Sequence, residues 1–106
     1  MKHVRCTDVQ GFDAPALGLE GTAKMRLRLL SEDSTWIELE PGGHTPDHRH
    51  DDKERIVVVS GRGVIRLGGL RKEIGPNDFI EIDAGDHQLI NTGSDLLAFV
   101  CFRNQR

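Results

Sequence analysis

The stretch from Gly42 to Gly61, GGHTPDHRHDDKERIVVVSG, decides how this chain reads. His48 and His50 are two residues apart, so on a strand they project from one face with Cα atoms ~6–7 Å apart, a spacing at which two imidazoles converge on one ion. Glu54 follows the short acidic loop Asp51-Asp52-Lys53 and opens the β-branched run Glu54 to Ser60, where its carboxylate approaches from a neighbouring strand. Alternation places Ile56 and Val58 on the face of Glu54, and Val57 and Val59 on the opposite one. His87 opens a later strand and supplies a third imidazole from the side. Three neutral imidazoles and one carboxylate suit Mn, Fe, Co, Ni or Zn and leave positions open on an octahedral ion.

The flanking sequence is built from short alternating runs cut by turn residues. In Thr22 to Leu30, Met25, Leu27 and Leu29 fall on one face and Lys24, Arg26 and Arg28 on the other. Ser34 to Glu40 alternates too, with Ile37 and Leu39 opposed to Trp36, Glu38 and Glu40. A hairpin centred near Asp33 sets Arg28 opposite Glu38, Arg26 opposite Glu40, Leu29 opposite Ile37 and Leu27 opposite Leu39. Gly61-Arg62-Gly63 turns the β-branched strand into Val64 to Leu67, which Gly68-Gly69 breaks. Gly75-Pro76-Asn77 precedes Asp78 to Ile82; His87 to Asn91 follows, and then the apolar strand Leu96 to Phe102 after the turn Thr92 to Asp95. Such spacing indicates a closed β-sandwich or barrel. Residues 1–21 read as an N-terminal arm, with Val4 to Val9 as an edge-strand candidate and Gly11 to Glu20 irregular; residues 22–106 read as a single domain.

Composition narrows the function. A chain of 106 residues has room for one domain. Its formal charge of −3, from 14 basic and 17 acidic residues, leaves no basic footprint for nucleic acid. No run approaches the ~20 apolar residues of a membrane span, and Met1 to Arg5 leads into no apolar signal core, so a cytoplasmic protein without a membrane role is expected. In that compartment Cys6 and Cys101 are expected as free thiols. The chain has no tyrosine to act as a phenolic acid or base, and its four lysines, Lys2, Lys24, Lys53 and Lys72, fall on termini, outer faces or loops. Ile56, Val58 and Leu89 are the expected pocket lining beside the ligands. Metal, aliphatic walls and few other proton carriers favour chemistry centred on the ion. His44 reads as a rim residue, His3 as solvated, and Asn91 as a structural hydrogen-bonding residue. Cys101 reads as a core thiol or a pocket thiol, since parity does not fix its direction.

At these residues the chain resembles the cupin family. The first cupin motif runs glycine, five residues, His-any-His, three or four residues, glutamate, six residues, glycine; here Gly42, His48-Arg49-His50, Glu54 and Gly61 occupy every fixed position. In the second, Asn77-Asp78 stands for Gly-Asp and Asp83-Ala84-Gly85 for Pro-any-Gly. His87 follows one residue early, and Asn91 lies at the expected distance beyond it. The resemblance spans about Glu40 to Phe102 and implies an all-β double-stranded β-helix, the jelly-roll or cupin barrel, which is often a homodimer. It implies one divalent transition metal held by His48, His50, Glu54 and His87, with Glu54 also placed to act as a catalytic base. The expected function is a metal-binding cupin acting as a metal-dependent dioxygenase on a small oxygen-chelating substrate. A non-catalytic small-molecule-binding cupin and a metal-dependent isomerase are the alternatives. A homodimer is further expected because Val57 and Val59, beside Val64, make an apolar strip, unless the segment around Val4 folds back over it.

Overall fold

Alternating strands bury one face only when they close on one another, and this chain closes into a barrel of two curled sheets. The structure is a computed structural model that describes residues 1–50, 53–83 and 85–103, and the backbone alone for 48–50. Among these residues the strands are β1 (Gly11–Asp13), β2 (Ala23–Leu29), β3 (Ser34–His44), β4 (His48–His50), β5 (Glu54–Ser60), β6 (Gly63–Leu67), β7 (Leu70–Ile74), β8 (Phe79–Ile82), β9 (Gly85–Ile90) and β10 (Leu97–Arg103). All pair antiparallel: β1-β2-β3-β10-β5-β8 on one side and β4-β9-β6-β7 on the other. The long strand β3 joins the two, since its far end pairs His44 with Ile90 of β9. This is the double-stranded β-helix, or jelly roll. No helix among the described residues is long and apolar enough to cross a membrane.

Two glycines of the first motif make that closure possible. Gly42, at φ +84°, lets β3 bend as it passes from one sheet to the other. Gly61, at φ +85°, lies against the Leu96 carbonyl, where any Cβ would collide. The barrel core gathers Leu39, Ile56, Leu97 and Phe99, all fully buried. Asn91 is buried beside them, its Nδ2 donating to Leu39 O at 2.7 Å and Asp95 O at 2.8 Å while Oδ1 accepts from Gly93 N at 2.9 Å. That is the structural role expected of it.

Three local expectations change. The β2–β3 register pairs Arg28 with Trp36, Arg26 with Glu38 and Leu27 with Ile37, two residues away from the expected pairing. The chain reverses earlier, with Leu30 N and Ser31 N both donating to Ser34 O at 3.1 and 3.2 Å. A two-residue shift preserves parity, so both faces keep their expected residues. Arg28 still reaches Glu38 diagonally, Nε to Oε2 at 3.3 Å. In the arm, Val4 to Val9 carries a 3-10 turn at Cys6–Asp8, and the strand lies instead at Gly11–Asp13, paired with Arg26 to Arg28. Its partner is distant in sequence, so no local alternation announces it. Strand β7, with one buried side chain, Ile74, pairs with β6 across the two-residue Gly68-Gly69 turn, where only a break was expected.

Candidate metal and ligand site

The site is built where β4, β5 and β9 meet at the open end of the barrel. Thr45 ties the approach to β4 onto β9: its N donates to Leu89 O at 2.9 Å, its Oγ1 accepts from Leu89 N at 2.9 Å, and its carbonyl accepts from Gln88 Nε2 at 3.0 Å. Arg66 of β6 donates to Asp47 and pins the same loop from outside. The backbone of β4 then runs beside β9 with His48 opposite His87 and His50 opposite Gly85. Directly opposed residues of an antiparallel pair share a face, so positions 48 and 50 lie on the strand face of His87.

Glu54 opens β5 between Ile82 of β8 and Arg103 of β10. It is 7 % exposed and His87 is 5 % exposed, and His87 Nε2 stands 2.9 Å from Glu54 Oε1. The His87 ring therefore faces into the barrel despite the shortened second motif. Arg103 approaches the other oxygen, Nε to Oε2 at 4.0 Å. Among the described side chains no group of three or more His, Cys, Asp or Glu residues comes together; Glu54 and His87 form a close pair, and the side chains of His48 and His50 fall outside that description.

Above this pair opens a cavity of about 490 Å³, walled mainly by Met25, Leu27, Ile37, Leu89 and Phe99. Leu89 was expected there. Ile56 and Val58 are not in the wall; although they share the inward face of Glu54, both are packed in the core cluster. Alternation assigns a face, while depth along the tapering barrel decides whether that face meets a cavity or other side chains. The walls from β2 and β3 were missed as lining, although the alternation of Met25, Leu27 and Leu29 was the signal that could have found them. Cys101 settles between its two readings: its thiol belongs to the core cluster and also lines the cavity beside Glu54. Burial, then the nearby Glu54 charge, push this thiol well above the ordinary thiol range, with Arg103 opposing. His44 lies outside the described lining, its Nδ1 3.1 Å from Thr45 O.

The Cupin_2 family, the cupin domain, matches residues 35–103, and the chain belongs to this family. A curated relative, the 1-methylthio-D-xylulose 5-phosphate methylsulfurylase of Rhodospirillum rubrum, is 28 % identical over 76 residues, 71 % of this chain. The chain spans about half that relative's length, 49 %. Among solved structures, a polyketide cyclase from Streptomyces resistomycificus superposes with a TM-score of 0.83 at 26 % identity, covering 100 % of this chain and 81 % of its own. A predicted oxalate decarboxylase from Thermotoga maritima superposes at 0.82 with 22 % identity, covering 99 % of this chain and 100 % of its own, a likeness of fold.

Proposed function

We propose that the chain is a metal-dependent enzyme that holds one divalent transition ion through His48, His50, Glu54 and His87 and acts on a small oxygen-chelating substrate as a dioxygenase. The observation that carries this is the buried carboxylate–imidazole pair, Glu54 Oε1 and His87 Nε2 at 2.9 Å, at the inner end of an apolar cavity. Glu54 and His87 stand side by side on the face that also carries positions 48 and 50, so the four donors can share one ion. The donor set fits Mn, Fe, Co, Ni or Zn.

When bound, such an ion supplies Lewis acidity and, for Fe or Mn, a redox couple. The chain's own groups do the rest. Thr45 holds the β4 approach against β9, and in this reading Glu54 takes a proton from a substrate hydroxyl at its carboxylate. Leu89, Ile37 and Phe99 hold the substrate's carbon frame and keep water out. Oxygen uptake by the Fe- or Mn-loaded protein with a panel of enols, diketones and catechols tests the reading. The Glu54→Gln variant should lose turnover far more than ligand affinity, because it keeps the shape and removes the charge. A candidate that binds tightly and is not consumed, with or without oxygen, would establish a binding module instead. The polyketide cyclase likeness favours a second reading, a cyclisation without oxygen consumption; turnover that persists under strict anaerobiosis would select it.

The protein is further proposed to form a homodimer. The register aligns Phe79, Val57, Val100 and Trp36 in one row across β8, β5, β10 and β3 on the outer face. Phe79 is 61 % exposed and Val59, on the same face, 43 %. Val64 is no part of this strip, being buried on the other sheet. Val4 is itself exposed. Sedimentation at micromolar concentration should show a dimer; a clean monomer would reject it.

A further inference from the structure

We infer that the cavity is built for an uncharged, largely hydrophobic substrate and turns away anionic ones, phosphate esters included. This deepens the proposed enzymatic reading and rests on its choice of site. The wall is aliphatic and aromatic, and the rim is acidic: Glu20, Glu32 and Asp33 are all exposed lining residues. With Glu54, the described lining carries four carboxylates against a single guanidinium, Arg103; the ion proposed beside Glu54 adds positive charge at the inner end and leaves the three rim carboxylates to set the charge of the mouth. That guanidinium, itself more than half exposed, lies 4.0 Å from Glu54 Oε2 and so faces a carboxylate of the same lining. A phosphate is recognised by a surplus of cationic or backbone N–H donors, with Arg forks the commonest device. The described lining has the reverse balance. A cleft lined by charges of one sign concentrates or repels charged ligands before they make contact, and here the repelled ligand is an anion. The curated relative is named for a sugar phosphate; the balance of charge around this cavity points to a different substrate class on the same barrel. Exposed Leu19 and Leu29 also line the mouth, giving an entering apolar body a surface to meet first.

The test uses the metal-free protein, so its outcome does not depend on whether an ion binds. Two probes of nearly equal shape, neutral 2-acetylnaphthalene and anionic 2-naphthoate, are compared by equilibrium dialysis at low salt. The neutral probe should bind at least about tenfold more tightly. In the triple variant Glu20→Gln, Glu32→Gln, Asp33→Asn, naphthoate binding should improve and most of the difference should vanish, with the neutral probe little changed. Raising salt to about 0.5 M should narrow the gap in the wild type, since exposed charges are screened over a few ångströms there. Equal or tighter binding of naphthoate, a gap that the triple variant leaves intact, or no binding of either probe would each overturn the inference. Failure of the metal reading, by contrast, would appear only in metal content and turnover.

Discussion

The inward face of β5 meets different surroundings at its two ends. Val58 is buried in the core and packs within the same cluster as Phe99, which it opposes on β10. Four residues earlier, Glu54 is also buried, yet it lines a cavity and stands 2.9 Å from an imidazole. One strand, one face and one alternation thus serve a packed bottom and a chemical top. Burial alone does not distinguish the two ends; what fills the space opposite does. At the closed end side chains fill it, so stability is concentrated there. At the open end the space is left for a ligand, so the same kind of substitution should cost less stability and more binding.

Truncation at the closed end should have the largest effect. Ile56→Ala removes a fully buried side chain that is itself no part of the cavity wall, and should cost about 2–5 kcal/mol in urea unfolding. A cost similar to that of a surface change would break the comparison. Next comes Asn91→Ala, which strips partners from Leu39 O, Asp95 O and Gly93 N; about 1–3 kcal/mol is expected. Leu27→Ala, in the half-buried cavity wall, should cost only about 1 kcal/mol while weakening binding of the neutral naphthyl probe. The smallest effect concerns Cys101. Its thiol titrates higher in the folded protein than in the unfolded chain, so the unfolded state loses its proton first as pH rises. The resulting stabilisation is complete below the ordinary thiol range and is lost as pH climbs through it toward the folded value. Cys101→Ala should flatten that part of the alkaline stability profile, and an unchanged slope would place its origin elsewhere.

How far the sequence could be read follows the same division. Alternation and turn residues made the strands β2, β3, β5, β6, β8, β9 and β10 legible, because each carries its own pattern of buried residues. Strands β1 and β7 were not, since β1 is held by pairing with a distant strand and β7 buries a single side chain. The hairpin register slipped by two because several polar residues in Ser31–Ser34 can make the turn, and parity does not distinguish registers two apart. Motif spacing set Glu54 and His87 in one site, and the two stand 2.9 Å apart. Their cavity was assigned the wrong neighbours at Ile56 and Val58, because much of its wall comes from β2 and β3, beyond β10 in the same sheet, and sequence distance from a ligand does not measure spatial distance.

The central claim is that the open end of the barrel holds one metal ion between β4, β5 and β9. The most direct measurement is metal content by plasma mass spectrometry after separate loading with Mn, Fe, Ni or Zn and desalting, for wild type and His50→Ala side by side. About one ion per wild-type chain is expected for at least one metal, with near-complete loss in a variant whose circular dichroism and urea midpoint without metal are unchanged. Wild-type protein that retains none of the four metals, or a His50→Ala variant that retains as much as wild type, would contradict it.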